Sequence, residues 1–257
     1  MRSEAEVDLV LELAAAGRNP SEIAAMTGIS RSTIRDWVAG RLPRNVHRFE
    51  RGLCLACGGA AHDFGNPPAA YPYLLGMYLG DGSISLHPRN VARLRIFLDA
   101  KYPGIVEETR RAISEMVPRN RVHVGGKRSR FTDSEELTTV IVSAYSKSWV
   151  CWFPQHGPGV KHGRPIELRD WQWEVVMNAP DKLLRGLIHS DGCRFINTGT
   201  NWKNPRYSFS NQSPDIRSIF VAACNRMGLH TTHAPHTVYV SRKADVERLD
   251  SFVGPKS

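Results

Sequence analysis

The chain has 257 residues, enough for one large domain and a small one, and its 34 Lys and Arg exceed its 25 Asp and Glu by nine. No apolar stretch approaches the roughly 18 residues of a membrane span, the first residues do not have the pattern of a signal peptide, and five cysteines are not a disulfide framework, so we expect a cytoplasmic protein. The net charge of +9 favours a polyanionic partner.

Residues 1–45 have the pattern of three short helices. Apolar residues recur at helical spacing over 4–16, Pro20 opens a second helix, and Ser30 is the predicted N-cap of a third. Ala24 followed by Gly28 has the spacing of a helix-turn-helix, in which a small residue lets two helices cross closely. The segment resembles the helix-turn-helix of resolvases and of many bacterial regulators.

That resemblance implies that the start of the third helix meets base edges or phosphates in the major groove. Four side chains are the candidates for this contact: Arg31, Ser32, Thr33 and Arg35. The alternative is a three-helix bundle that contacts protein. Since the first 50 residues carry seven basic and seven acidic side chains, we expect this domain alone to bind DNA weakly.

Residues 46–69 are rich in Gly, Pro, Arg and His and are predicted to be a linker. Cys54 and Cys57 lie within it, and two glycines follow them. This C-x-x-C pattern is typical of a zinc knuckle, in which one turn directs two thiolates at one ion, so both cysteines are candidate Zn²⁺ ligands. His47 and His62 are nearby, and a pair of reduced cysteines without a metal is the alternative.

Two apolar segments, 74–82 (LLGMYLGDG) and 184–192 (LRGLIHSDG), share one pattern. Each predicts a helix that ends in Asp-Gly. Small residues four positions apart allow two such helices to pack closely, and these residues are Gly76 and Gly80 in the first segment and Gly186 and Ser190 in the second. Strand, proline-turn and helix patterns follow both segments, so we expect two αββαββα halves, 70–160 and 178–257, joined by a linker and helix at 161–177.

Asp81 and Asp191 end the two predicted motif helices. A carboxylate at a helix C-terminus faces the negative end of the helix dipole and is unfavourable there by roughly 0.3–1 kcal/mol. A single Asp-Gly is commonly only a turn, whereas two copies on closely packed helices would bring both carboxylates together. Such a pair repels unless cations lie between the two charges.

The two segments resemble the LAGLIDADG motifs of homing endonucleases, in the monomeric form that carries both motifs on one chain. The resemblance covers about residues 71–255. It implies an α+β fold in which two pseudo-symmetric αββαββα halves form a DNA-binding saddle, with the small all-α helix-turn-helix domain added. It also implies a monomer with internal pseudo-two-fold symmetry that hydrolyses both strands of double-stranded DNA at a specific site.

The same resemblance implies the residues of the active site. Asp81 and Asp191 would bind Mg²⁺ or Mn²⁺, together with the backbone carbonyls of Gly80 and Ser190. The family has a basic residue near each active site at the end of a later strand. The candidates for this role are Lys147 in the first half and Lys243 or Arg242 in the second.

Three arginines and a basic run are expected to face the DNA backbone, or else to be solvated surface charges: Arg93, Arg95, Arg206 and the run 127–130. Cys151 and His156 are predicted to have core and loop roles rather than to bind a metal. His189, where the second motif usually has an acid, is predicted to be a packed histidine.

A helix-turn-helix is not typical of intron-borne LAGLIDADG enzymes, and some bacterial transcription regulators join a LAGLIDADG scaffold to such a domain only to bind DNA. A non-cleaving regulator is therefore the alternative to a nuclease. These regulators often lose the acids, so the presence of both Asp81 and Asp191 favours cleavage. No intein splice junctions are visible, and we expect a free-standing bacterial protein associated with the nucleoid.

Overall fold

The structure is a computed structural model that describes residues 3–43, 54–128, 137–254 and 256, with the backbone alone at residues 4, 127, 128, 137 and 202. It forms two compact units, Met1–His62 and Asp63–Ser257. Within the described part of the chain, no helix has the length and apolar character that a membrane crossing requires.

The first unit contains three helices, α1 (Glu4–Ala15), α2 (Pro20–Thr27) and α3 (Arg31–Val38). Each helix begins after a side chain that accepts hydrogen bonds from the first turn: Ser3, Asn19 and Ser30. Gly28 ends α2 in the left-handed conformation, with a φ of 69°, which favours glycine. The predicted helix-turn-helix is therefore present in α2 and α3.

Apolar side chains from all three helices and from the turn before α3 form the core of this unit. The buried members are Val7, Val10, Ile23, Ile29, Ile34 and Trp37. Because they recur at helical spacing, each helix buries one face and leaves the other exposed to solvent.

The first half of the second unit has the predicted αββαββα order. Its elements are α4 (Tyr71–Asp81), β1 (Gly82–His87), β2 (Val91–Asp99), α5 (Pro103–Met116), β3 (Val122–Arg128), β4 (Leu137–Ser146) and α6 (Trp149–Trp152). The four strands form an antiparallel sheet in the order β1-β2-β4-β3. A further helix, α7 (Asp170–Asn178), connects the halves, almost entirely within the predicted segment 161–177, and contains Trp171 and Trp173.

The second half repeats the first. Its elements are α8 (Pro180–Asp191), β5 (Gly192–Gly199), β6 (Trp202–Ser210), α9 (Pro214–Arg226), β7 (Thr231–Ala234), β8 (Thr237–Val240) and α10 (Lys243–Val253). The antiparallel sheet order is β5-β6-β8-β7, which is the order of the first sheet. The internal repeat predicted from the sequence is therefore confirmed.

The motif helices α4 and α8 pack against each other so closely that glycine is required at their contact. A Cβ added to Gly76 would lie 2.7 Å from the backbone oxygen of Leu183, and one added to Gly186 would lie 2.2 Å from that of Tyr73. Both helices contribute fully buried side chains to the core of the unit, among them Leu74 from α4. The backbone contact of α4 and α8 thus brings together the C-terminal ends of both motifs.

Candidate metal and nucleic-acid site

Asp81 and Asp191 are the last residues of α4 and α8, and the close contact of these helices places them beside each other. A Cβ added to Gly80 would lie 3.0 Å from Asp191 Oδ2 and 2.2 Å from Ser190 Oγ. The four residues that the resemblance assigns to the metal site therefore lie together at one end of the helix pair.

Burial raises the pKa of the Asp81 carboxyl to about 6, and the negative charge of Asp191 contributes to this rise. Burial also raises the pKa of Asp191, while a hydrogen bond donated by the Asn211 amide to Asp191 Oδ2 at 2.6 Å opposes the change. Two half-buried carboxylates thus share a site in which their ionisation is costly without nearby cations.

Two lysines supply positive charge to this pair, and each binds the C-terminal end of one motif helix. Lys161 Nζ donates hydrogen bonds to the carbonyl oxygens of Tyr78 at 2.6 Å, Gly80 at 2.7 Å and Gly82 at 2.9 Å. An ammonium group at this position interacts favourably with the helix dipole. Burial lowers the pKa of Lys161 to about 8, and the charges of Asp191 and Asp81 oppose this shift.

Lys256 occupies the equivalent position in the second half. Its Nζ donates to the carbonyl oxygens of Gly192 at 2.6 Å and Ser190 at 3.4 Å. Burial lowers the pKa of Lys256 as well, and the charges of Asp81 and Asp191 oppose the change. The arrangement of acids and lysines therefore follows the pseudo-two-fold symmetry of the fold.

Two clefts lie at the C-terminal ends of the motif helices, and each combines residues of both motifs. One, of about 630 Å³, is lined by Gly80, Lys161, Asp191 and Asn211, among others. The other, of about 280 Å³, is lined by Asp81, Asp99, Ser190 and Lys256, among others. Each cleft thus contains a carboxylate of one motif, the residue before the carboxylate of the other motif, and a lysine that binds the end of a motif helix.

The basic residues proposed from the sequence are elsewhere. Lys147 is exposed just after β4, and Lys243 is the first residue of α10, where its side chain is 87% exposed and lies 3.9 Å from Glu247. Neither residue is among the described lining of the two clefts, nor is Arg242. The structure thus places Lys161 and Lys256, rather than Lys147 and Lys243, beside the paired carboxylates.

A signal for the two lysines was present in the internal repeat. Lys161 follows α6 and Lys256 follows α10, so each is found beyond the third helix of its half. The sequence predicts the basic residues at strand ends and assigns residue 161 to the linker between the halves. When the segments after α6 and α10 are compared as copies of one repeat, Lys161 and Lys256 are the corresponding basic residues.

The arginines predicted to face DNA lie on the sheet faces opposite the core. Along β2, Arg93 and Arg95 alternate with buried Ala92, Leu94 and Ile96. The Arg93 guanidinium lies 5.2 Å from the ring centre of Tyr145 and donates to Ser143 Oγ at 3.0 Å. These contacts hold the arginine side chains along the sheet surface.

Arg206 has the corresponding place on β6, 3.9 Å above the ring of Tyr239. Three guanidinium nitrogens on these two sheets are buried and have no hydrogen-bond acceptor among the described residues: the Nε atoms of Arg93, Arg95 and Arg206. Unpaired buried donors are costly, and an acceptor from a bound polyanion would satisfy them. The basic run 127–130 cannot be compared with this prediction, because its side chains lie outside the described residues.

In the first unit, the side chains of Arg31, Ser32 and Arg35 are exposed on α3. Thr33 is half-buried. Its hydroxyl lies 2.7 Å from that of Ser30, and its backbone N–H donates to Ser30 Oγ at 3.3 Å. Thr33 therefore takes part in the N-cap of α3, and the two arginines with Ser32 form its accessible polar surface.

The first unit also contains a group that could hold a metal ion. The ligand atoms of Cys54, Cys57 and His62 lie within 4.8 Å of one another. Both cysteines are the candidate Zn²⁺ ligands predicted from the sequence, and His62 is one of the two nearby histidines. The other nearby histidine, His47, lies outside the described residues.

Comparisons with known proteins found one family model and several solved structures to which the chain is similar. A family model described as a homeodomain-like domain matches residues 8–54, and no curated protein matches. Among solved structures, the homing endonuclease I-WcaI bound to its DNA recognition sequence is similar at 13% identity with a TM-score of 0.48, over 74% of this chain and 84% of that chain.

Two further structures have the same kind of similarity. The N-terminal LAGLIDADG domain of DUF199/WhiA is 13% identical with a TM-score of 0.43, over 76% of this chain and 87% of that chain. The LAGLIDADG meganuclease I-AabMI bound to uncleaved DNA is 12% identical with a TM-score of 0.39, over 70% of this chain and 82% of that chain. The chain therefore carries a helix-turn-helix region that matches a homeodomain-like model, followed by two αββαββα halves with the same strand order.

Proposed function

We propose that the protein is a site-specific double-strand DNA endonuclease that hydrolyses phosphodiester bonds with divalent metal ions. One observation carries this proposal: each of the two clefts combines the carboxylate of one motif with the residue before the carboxylate of the other. Two such clefts related by pseudo-two-fold symmetry match the two strands of a duplex, one cleft for each strand.

The partner is inferred from charge and from unsatisfied donors. The chain has a net charge of +9, and the sheet arginines Arg93, Arg95 and Arg206 each carry a buried Nε without an acceptor among the described residues. Phosphate oxygens are strong acceptors for guanidinium groups, and contacts of this kind supply most of the affinity for DNA. The exposed polar surface of α3 would add a second contact with the duplex.

The residues of the clefts fit a hard divalent ion. Their donors are carboxylate oxygens of Asp81 and Asp191 and backbone carbonyl oxygens of Gly80 and Ser190, which are the ligands that Mg²⁺ and Mn²⁺ prefer. The half-buried carboxylates, with raised pKa values, would be stabilised by such an ion. When bound, the metal would supply a water of lowered pKa and stabilise the attacking and leaving oxygens.

The residues of the chain prepare the clefts for this reaction. Asn211 fixes the orientation of the Asp191 carboxylate through its hydrogen bond to Oδ2. Lys161 and Lys256 hold the ends of the motif helices and place an ammonium group in each cleft, where the negative charge of a phosphodiester would collect in the transition state.

The test begins with selection of bound duplexes from a random DNA library, followed by cleavage of the selected duplex in Mg²⁺. We expect the wild-type protein to cut both strands and Asp81→Asn to bind the duplex with similar affinity but not cut it. Asp170→Asn is the matched control, since Asp170 is an exposed carboxylate at the start of α7. Tight binding without cleavage in either Mg²⁺ or Mn²⁺ would refute the nuclease proposal.

A non-cleaving DNA-binding regulator is the second candidate, and the lysines favour it. Lys161 already binds the Gly80 carbonyl, and the two ammonium groups balance the two carboxylates without a metal. On this account calorimetry detects no divalent-ion binding at the pair. An Asp81→Asn/Asp191→Asn double variant then retains both DNA binding and its effect on transcription from a promoter that contains the selected site.

A further inference from the structure

Residues 54–62 form a tight loop that brings two thiols and an imidazole together. The Cys54 N–H donates to the carbonyl of Gly59 at 2.8 Å, and the Gly58 N–H donates to the carbonyl of Cys54 at 2.7 Å. Gly58 has a φ of 66°, a conformation that favours glycine. The turn closed by these bonds places the ligand atoms of Cys54, Cys57 and His62 within 4.8 Å of one another.

Further contacts at Cys57 resemble the surroundings of a metal-bound sulfur. Its Sγ lies 3.3 Å from His62 Nε2 and accepts a hydrogen bond from the Gly59 N–H at 3.3 Å. A backbone N–H directed at sulfur stabilises the negative charge of a ligating thiolate and fixes its orientation. The Cys57 side chain is also nearly inaccessible to solvent, with 4% exposure.

The loop has little apolar burial of its own to stabilise this conformation. Its leucine, Leu55, is 65% exposed, and the described members of the core of the first unit all lie between Val7 and Leu42. A bound metal stabilises short loops of this kind, because the free energy of metal binding becomes free energy of folding.

We propose that Cys54, Cys57 and His62 bind a structural Zn²⁺ ion that fixes the loop following the helix-turn-helix. Thiolate and imidazole are the ligands that zinc prefers, and the turn supplies three of the four ligands that a closed site requires. A fourth ligand from the chain would complete the closed site. This site uses soft ligands and is separate in chemistry from the oxygen ligands of Asp81 and Asp191.

The test is the metal content of the full-length protein, purified in reducing buffer with zinc present and then dialysed. Elemental analysis is expected to give close to one zinc per chain, and near zero for Cys54→Ser and Cys57→Ser. Cys193→Ser is the matched control, since Cys193 is exposed and outside the loop, and it is expected to keep its zinc. Replacement of the ion by Co²⁺ should give the visible absorption of tetrahedral cobalt, with thiolate-to-metal bands that weaken in each single cysteine variant.

Wild-type protein without bound zinc under these conditions would overturn the proposal, and so would a Cys54–Cys57 disulfide detected by mass spectrometry. Equal zinc in wild type, Cys54→Ser and Cys57→Ser would place the ion elsewhere and overturn it too. Because circular dichroism reports the folding of each variant, loss of zinc from a folded Cys57→Ser protein is attributable to the missing ligand. His62→Cys, which retains a ligand, is expected to restore binding that His62→Ala loses.

Discussion

Lys161 Nζ lies 2.7 Å from the carbonyl oxygen of Gly80, the residue that precedes Asp81 at the end of the first motif helix. The contact joins a loop lysine to a helix end 81 positions earlier in the chain. Lys256 repeats it at the second motif helix through the carbonyls of Ser190 and Gly192. Each cleft therefore has a lysine that binds the end of one motif helix, and these two lysines can be replaced independently.

Replacement of one lysine is expected to slow cleavage of one strand. Lys161→Met removes the ammonium group from one cleft and leaves Lys256 in the other, so one strand should be cut roughly 100-fold more slowly, as for loss of one preorganised donor. Lys256→Met should slow the opposite strand. The measurement is single-turnover cleavage of the selected duplex with each strand labelled separately.

Lys243→Met is the control for these variants, since Lys243 is exposed on α10 and pairs only loosely with Glu247. It should cut both strands at the wild-type rate. Equal slowing of both strands by Lys161→Met would contradict a separate role for each cleft. Slower cleavage of one strand by Lys243→Met would instead support Lys243, the residue inferred from the sequence, as the catalytic lysine.

Asp81→Asn is expected to stabilise the metal-free protein at neutral pH. The folded-state pKa of Asp81 is raised from 3.8 to about 6, so its contribution to stability is full below pH 4 and is lost as the pH rises through about 6. Asparagine carries no charge, and the variant should be more stable than wild type by about 2–3 kcal/mol above pH 7, since each pKa unit corresponds to about 1.4 kcal/mol. The difference should vanish near pH 4 in urea unfolding without divalent ions.

Asp99→Asn is expected to change the stability in the opposite direction and serves as the control. Hydrogen bonding to Lys101 lowers the pKa of Asp99, so its ionised form contributes stability above pH 4. Because this carboxylate is exposed, its replacement should reduce the stability only slightly at neutral pH. Stabilisation of similar size in both variants would show that the effect is not specific to the carboxylate pair.

The contact of the motif helices should not tolerate a methyl group. Gly186→Ala would place its Cβ 2.2 Å from the backbone oxygen of Tyr73, and neither helix can move without displacing the core. We expect a loss of about 3 kcal/mol or more in the free energy of unfolding, at the upper end for overpacked sites. Gly65→Ala, whose nearest neighbour would be Asp63 Oδ1 at 3.6 Å, should change it by less than about 0.5 kcal/mol. Equal midpoints of urea unfolding for Gly186→Ala and Gly65→Ala would contradict the close contact of α4 and α8.

His189 should make the fold sensitive to acid. Burial, with the nearby charge of Arg185, lowers its pKa to about 4, and its ring contacts the hydroxyl of Tyr73 at 3.2 Å and the carbonyl of Val253 at 3.0 Å. The stability that it contributes is full above pH 6.5 and is lost as the pH falls towards 4. Relative to His189→Gln, the wild-type protein should lose about 2 kcal/mol between pH 7.5 and pH 5. If the free energy of unfolding varied with pH in the same way for wild type and His189→Gln, the histidine would not be buried as a neutral group.

The sequence was sufficient to predict the helix-turn-helix, the N-cap Ser30, the repeat and the paired acids, because these depend on local patterns. Ser30 before an amphipathic run and the Asp-Gly helix ends can be recognised within a few residues. Lys161 and Lys256 could not be located in this way, because they lie in segments without periodicity and act through backbone atoms distant in sequence. The contact of Asn211 could not be predicted from the sequence for the same reason, since its amide meets Asp191 only when the end of β6 lies beside the end of α8 in the folded chain.

The most direct test of the central claim is anomalous diffraction from crystals of the protein bound to its selected DNA and soaked in Mn²⁺. A carboxylate pair that serves cleavage should give an anomalous peak within ligand distance of Asp81 and Asp191, and the Asp81→Asn crystals should lose or weaken it. A complex with DNA in place and no anomalous peak, in which Lys161 and Lys256 alone contact the helix ends, would contradict the account and favour the non-cleaving regulator.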